Sequence, residues 1–133
     1  VATLPSAPTA PNVAVPAASP ADAYFRVGES AIATKIVKLA PVGAGRRFPA
    51  EKGTLYCWTR ILTDSLKEVP RERRVIIHRW IRGDEVVRER SFTITSPRYR
   101  VYSSLSRLEA GDWRVDIVEA GGTVIGTEKF VVR

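Results

Sequence analysis

Cysteine occurs once, histidine once and methionine nowhere in these 133 residues. One cysteine closes no internal disulfide, and one cysteine with one histidine falls short of the three or four ligands of a His/Cys zinc site. Zinc fingers, haem-attachment motifs, disulfide scaffolds and most histidine-based catalysis are therefore excluded, and no metal or cofactor is expected. No run approaches the ~18–20 uninterrupted apolar residues of a membrane span, so no transmembrane segment is expected in this chain. The sequence begins at Val1 without a methionine. The expectation is that an upstream piece, such as a secretory signal or membrane anchor, has been removed or left out.

What is present is a basic chain of one-domain length, with 44% hydrophobic and 26% charged residues and a net charge of +7. That balance is ordinary for a soluble globular protein with one core. The positive charge is concentrated. Between Arg71 and Arg107 stand ten arginines and four acids, whereas the stretch from Leu108 onward is mildly acidic. A basic middle of this kind suits an anionic partner: an acidic protein, phosphate or lipid head groups.

Residues 1–22 hold five of the nine prolines, at 5, 8, 11, 16 and 20, together with seven alanines and no aromatic residue. Proline at this density forbids a helix and favours extended backbone, and small side chains bury too little area to fold alone. This segment reads as an extended Ala/Pro-rich arm or linker that straps onto a neighbouring subunit, with residues 23–133 forming the folded domain. Beyond Tyr24 the pattern is of β-rich runs: 31–39, 54–63, 74–82, 85–94, 99–106, 112–118 and 123–132. Alternation is clearest at Trp113, Val115 and Ile117, with Asp112, Arg114 and Asp116 opposite. Arg82-Gly83-Asp84-Glu85 and Glu119 to Thr123 read as hairpin turns. Only 64–73 could hold a helical turn, and Pro70 limits it. About seven short strands with such turns predict an all-β, immunoglobulin-like antiparallel β-sandwich.

Cys57 lies on a strand face with Leu55 and Ile61 and reads as a small buried hydrophobe. His78 shares a face with Ile76 and Trp80 on a strand apolar on both sides, which reads as a core position. Trp80 and Trp113 are expected core tryptophans. Tyr56, Trp58 and Arg60 share the other face of their strand, where Tyr56 and Trp58, if exposed together, could stack on a sugar ring. Asp112 and Asp116 would lie ~13 Å apart on a strand, too far for paired glycosidase carboxylates. Gly43-Ala44-Gly45-Arg46-Arg47 lacks the ending of a phosphate loop and reads as a basic loop. The arginines at 71, 73, 74, 98, 100 and 107 come without a nucleic-acid motif, and no nucleic-acid partner is expected.

Several blocks, in order, resemble one bacterial family. They are Tyr56-Cys57-Trp58-Thr59-Arg60, His78-Arg79-Trp80 before a glycine turn, Arg100-x-Tyr102-Ser103-Ser104, Gly111-x-Trp113-Arg114-Val115 and a terminal Phe130-x-Val132. Together they are similar to the domain-of-unknown-function family twenty-nine-fourteen over most of residues 31–133, although tryptophan would be at least as typical at Tyr102. The resemblance implies an envelope-associated β-sandwich, periplasmic or membrane-peripheral, with no catalytic residue. The expected function is a non-catalytic accessory or scaffold subunit that docks onto a larger membrane-associated complex of photosynthetic, respiratory or secretion type. The expected partner contacts are Pro5, Pro8, Pro11 and Pro16 of the arm with Arg46, Arg47, Arg71, Arg73 and Arg74. The alternative is a carbohydrate- or peptidoglycan-binding sandwich using Tyr56 and Trp58.

Overall fold

A computed structural model describes residues 23–50 and 53–133. Ten strands carry the described residues: β1 (Arg26–Ala33), β2 (Lys35–Val37), β3 (Ala40–Val42), β4 (Arg47–Phe48), β5 (Thr54–Leu62), β6 (Val75–Arg82), β7 (Glu85–Thr93), β8 (Arg98–Ser106), β9 (Gly111–Glu119) and β10 (Val124–Val132). They form a three-stranded sheet β1-β5-β8, a five-stranded sheet β4-β10-β9-β6-β7, and the separate hairpin β2-β3. Pairing is antiparallel except that β4 runs parallel to β10. Two facing sheets, closed at one edge by a short strand parallel to the last one, make an all-β sandwich with immunoglobulin-like connectivity. The arm and its prolines lie outside the described residues.

Alternation builds the interior. Leu55, Cys57, Thr59 and Ile61 of β5, Val101 and Ser103 of β8, and Ile76, His78 and Trp80 of β6 are all buried. The apolar residues fall into two clusters. One gathers Leu55, Cys57, Trp80, Trp113, Val115 and Phe130, with the Trp113 and Phe130 rings stacked and the Trp80 ring edge-on to Phe130. The other gathers Phe25, Ile61, Val69, Ile76, Ile94, Val101, Ile117 and Ile125. Along each of three strands a polar residue stands where one cluster gives way to the other: Thr59, His78 and Ser103.

The turns fall at Gly83 and Gly122, whose positive φ values of 60° and 95° glycine adopts at little cost. Between β5 and β6 the chain makes two 3-10 turns, Leu66–Glu68 and Arg71–Arg73, on either side of Pro70. Six of the ten strands, β5 to β10, lie within a residue or two of the predicted runs. The run 31–39 differs. It begins five residues earlier, at Arg26, and breaks at Thr34, whose N–H donates to the Val42 carbonyl and turns the chain into the β2-β3 hairpin. That hairpin reverses at Lys38 and Leu39, both with φ near +55° (51° and 59°). Two non-glycine residues in this region cost roughly 1–2 kcal/mol each, which is why the turn is invisible to a search for Asn-Gly or Asp-Gly.

Candidate functional site

The lone histidine and the lone cysteine are locked in the core. His78 is fully buried, and its Nε2 and Nδ1 lie 2.9 Å from Thr59 Oγ1 and 2.7 Å from Ser103 Oγ. The Trp80 indole N–H donates to the same Ser103 oxygen at 3.0 Å. With the indole already donating there, the assignment that keeps the Ser103 proton in use has the hydroxyl donating to Nδ1 and Nε2–H donating to Thr59. Burial, aided by the charge of Arg90, pushes His78 down to about 3, so it stays neutral in the fold. Burial likewise raises the Cys57 thiol well above its ordinary value, with the negative charge of Glu128 adding to the effect. A buried, protonated thiol is inert. The polar layer satisfies its own donors and acceptors between the two apolar clusters, and that is a structural task.

Trp58 is the clear correction. It sits on the outer face of β5, yet only 6% of it is exposed. The β2-β3 hairpin folds over that face, and the Trp58 indole N–H donates to the Leu39 carbonyl at 2.9 Å. A covered indole whose N–H is already bonded cannot stack on a sugar. Tyr56 is half-buried and meets the exposed Tyr102 edge to face, with centroids 6.0 Å apart. The stacking pair Tyr56 and Trp58 therefore does not form an open platform, because a long-range cap occupies the place a glycan would take.

The arginines singled out from the sequence separate into two groups. Arg73 lies 5.3 Å over the Tyr24 ring, and its guanidinium presses so closely on Gly121 that any Cβ there would collide with it. Arg74 Nε donates to the Val69 carbonyl at 2.8 Å, and Arg46 donates to the Lys129 carbonyl and stands 3.9 Å from Glu128. These three hold loops in place. Arg47 and Arg71 are exposed and lie on different elements, β4 and the second 3-10 turn.

The surface that sequence reasoning passed over is β7. It ends the five-stranded sheet, and eight of its nine residues are exposed, with Phe92 alone half-buried. Register places Phe92, Arg90 and Arg88 opposite Ile76, His78 and Trp80 of β6, so these three side chains point toward the sandwich side. Phe92 packs against the second apolar cluster, whereas Arg88 and Arg90 stay exposed. Arg90 lies over the Phe92 ring at 5.3 Å. On the other face Arg79 pairs with Glu89 at 2.6 Å. Among the described residues, neither Arg88 nor Arg90 has a carboxylate in ion-pair range. Where β7 begins, Val86 and Val87 line an open cleft of about 340 Å³ with Leu105, Arg107 and Trp113. The sequence signal was Arg88-Glu89-Arg90: three consecutive charges inside a strand fit an edge far better than a sheet interior.

Fold and site together define an immunoglobulin-like β-sandwich whose lone histidine and cysteine are buried and whose five-stranded sheet ends in a long exposed strand, β7. Within this class the sequence blocks find their match: residues 73–132, from β6 to the end of β10, fit the model of the family described as Protein of unknown function (DUF2914). The recognition made from those blocks holds over that stretch, while the Tyr56–Arg60 block lies upstream of it. No curated protein matches the chain. Among the described residues no helix is long and apolar enough to cross a membrane, and no cluster of three metal-ligating side chains occurs.

Proposed function

We propose that the chain is a non-catalytic docking subunit that joins a larger bacterial membrane-associated protein assembly, and that strand β7 is the contact. The observation that carries this reading is the open edge from Glu85 to Thr93, exposed along almost its whole length beside a cleft lined by Val86 and Val87. An edge strand presents unpaired backbone N–H and C=O groups, and an extended segment of a partner can add to it as a further strand. Successive same-face residues on such a segment lie about 6.8 Å apart. Acidic residues at alternate positions would therefore face Arg88 and Arg90 together.

Charge also argues against self-pairing. A two-fold axis normal to the sheet and centred on Val87, Arg88 or Glu89 sets like charges directly opposite one another, which is unfavourable. The partner favoured by this edge is a different, acidic strand.

The test is a titration of the full chain with a labelled extended peptide alternating glutamate and valine, against one alternating lysine and valine. Binding of the acidic peptide, lost at least tenfold in Arg88→Glu/Arg90→Glu, supports the reading, as does failure of that variant to co-fractionate with membrane complexes. Equal binding of both peptides, or unimpaired binding and incorporation by the variant, overturns it.

A further inference from the structure

The β2-β3 hairpin carries a second surface, remote in sequence from β7. Its inner face, Ile36 and Pro41, is half-buried, as a strand lying on a sheet should be. Its outer face should then be polar, and it is not. Register pairs Lys35 with Val42 and Val37 with Ala40 on that face, all four exposed. Val37, Leu39 and Val42 are each between 41% and 47% exposed, three of the eight large apolar residues that the described surface leaves open. Leu39 stands at the tip in the left-handed region (φ 59°) beside Lys38 (φ 51°), a conformation neither residue favours. The tip is also held outward. The Leu39 carbonyl accepts the Trp58 indole N–H at 2.9 Å and an Arg100 guanidinium N–H at 3.5 Å.

The charge along the hairpin and the loop after it has one sign. Residues 30–50 contain Lys35, Lys38, Arg46 and Arg47 and neither aspartate nor glutamate. Lys35 and Lys38 are exposed beside the apolar residues, and the exposed Arg100 reaches the turn from β8. Protruding aliphatic side chains flanked by Lys35, Lys38 and Arg100, on a hairpin that itself carries no carboxylate, complement a surface that is anionic outside and apolar beneath. We infer that the β2-β3 hairpin is an interfacial membrane contact, in which Val37, Leu39 and Val42 enter the head-group boundary of an anionic bilayer while Lys35, Lys38 and Arg100 meet lipid phosphates. This surface is independent of β7, so a subunit docked through β7 would rest on the bilayer with its hairpin.

Flotation of the full chain with vesicles of phosphatidylcholine and phosphatidylglycerol at 7:3, against pure phosphatidylcholine, tests this at low salt. Anionic vesicles are expected to bind at least tenfold more protein. Lys35→Glu/Lys38→Glu is expected to lower that binding at least tenfold, since each lysine near the surface contributes about fivefold. The pair Lys67→Glu/Lys129→Glu, outside the hairpin, changes the net charge equally and should lower it far less. Leu39→Asn, which keeps a residue tolerant of positive φ, is expected to weaken binding about threefold. Thermal melts check that each variant is folded. Absence of a preference for anionic vesicles, an equal loss in both lysine pairs, or full binding by Leu39→Asn overturns the inference. Capture of a protein partner through the hairpin, with vesicles ignored, overturns it as well.

Discussion

Strands β6 and β7 are neighbours joined by a tight turn, of eight and nine residues, paired from Val75–Thr93 to Arg82–Glu85. They could hardly differ more in environment. β6 places Ile76, His78 and Trp80 in the deepest part of the interior, all at 0% exposure. β7, one strand further out, leaves eight of nine residues exposed. Hydrogen bonding into a sheet and burial in a core are thus separate properties, and the second depends on what lies across the sandwich. Three strands cover part of a five-stranded sheet, and β7 overhangs. The opposite edge shows the contrast from another side. There β4 is two residues long, and Arg133 N–H donates to the Phe48 carbonyl, which closes the edge instead of offering it.

The sharpest way to break the comparison is to truncate one large side chain on each strand. Trp80→Ala removes an indole that packs against Phe130 and donates to Ser103. It is expected to cost about 3–5 kcal/mol, enough to unfold much of the population at room temperature. Val87→Ala on β7 should stay within about 0.5 kcal/mol of the parent. Urea unfolding at pH 7 measures both, and similar losses would mean that β7 is part of the core.

Acid sharpens the same contrast through His78. The folded protein holds this imidazole near 3, against 6.5 for the free side chain. Between these values the unfolded chain binds a proton that the folded chain refuses. Stability from this group is therefore full above about pH 6.5 and falls steadily as pH drops toward 3, by on the order of 5 kcal/mol over the whole window. His78→Gln should lower stability at pH 7 by about 1–3 kcal/mol, because the polar layer loses ideal partners. It should also flatten the dependence between pH 6.5 and 4, and an unchanged slope would remove His78 as its source. The smallest expected effect lies on β7. Arg88→Glu/Arg90→Glu should leave the melting temperature within a degree or two, since neither arginine has a carboxylate partner among the described residues, while binding of acidic peptides is lost.

Periodicity carried the interior. Trp113, Val115 and Ile117 alternate as read, Cys57 and His78 are core residues, and Trp80 and Trp113 are the buried tryptophans expected. Local turn chemistry carried Gly83 and Gly122. The misreadings have one physical origin, which is cover supplied from far away in sequence. Trp58 belongs to an outward strand face, and only the hairpin nineteen residues earlier makes it buried. That hairpin hides because Lys38 and Leu39 take left-handed conformations without being glycine or asparagine. Arg73 and Arg74 looked free for a partner, but Tyr24 and the Val69 carbonyl claim them through folding. The β7 edge escaped notice because overhang is a property of two sheets together, although the charge run Arg88-Glu89-Arg90 marks it in hindsight. The arm, with Pro5, Pro8, Pro11 and Pro16, lies outside the described residues.

The open edge of β7 as a docking strand is tested most directly by amide hydrogen exchange of the full chain, with and without the alternating glutamate–valine peptide. Free protein should show slow exchange along Ile76 to Trp80, whose N–H groups lie between two paired strands. In β7 the amides that do not bond to β6 should exchange fast. Adding the peptide should slow those β7 amides and leave β6 unchanged. Protection arising elsewhere, or β7 amides already slow in the free chain, would contradict the assignment of this edge as the docking strand.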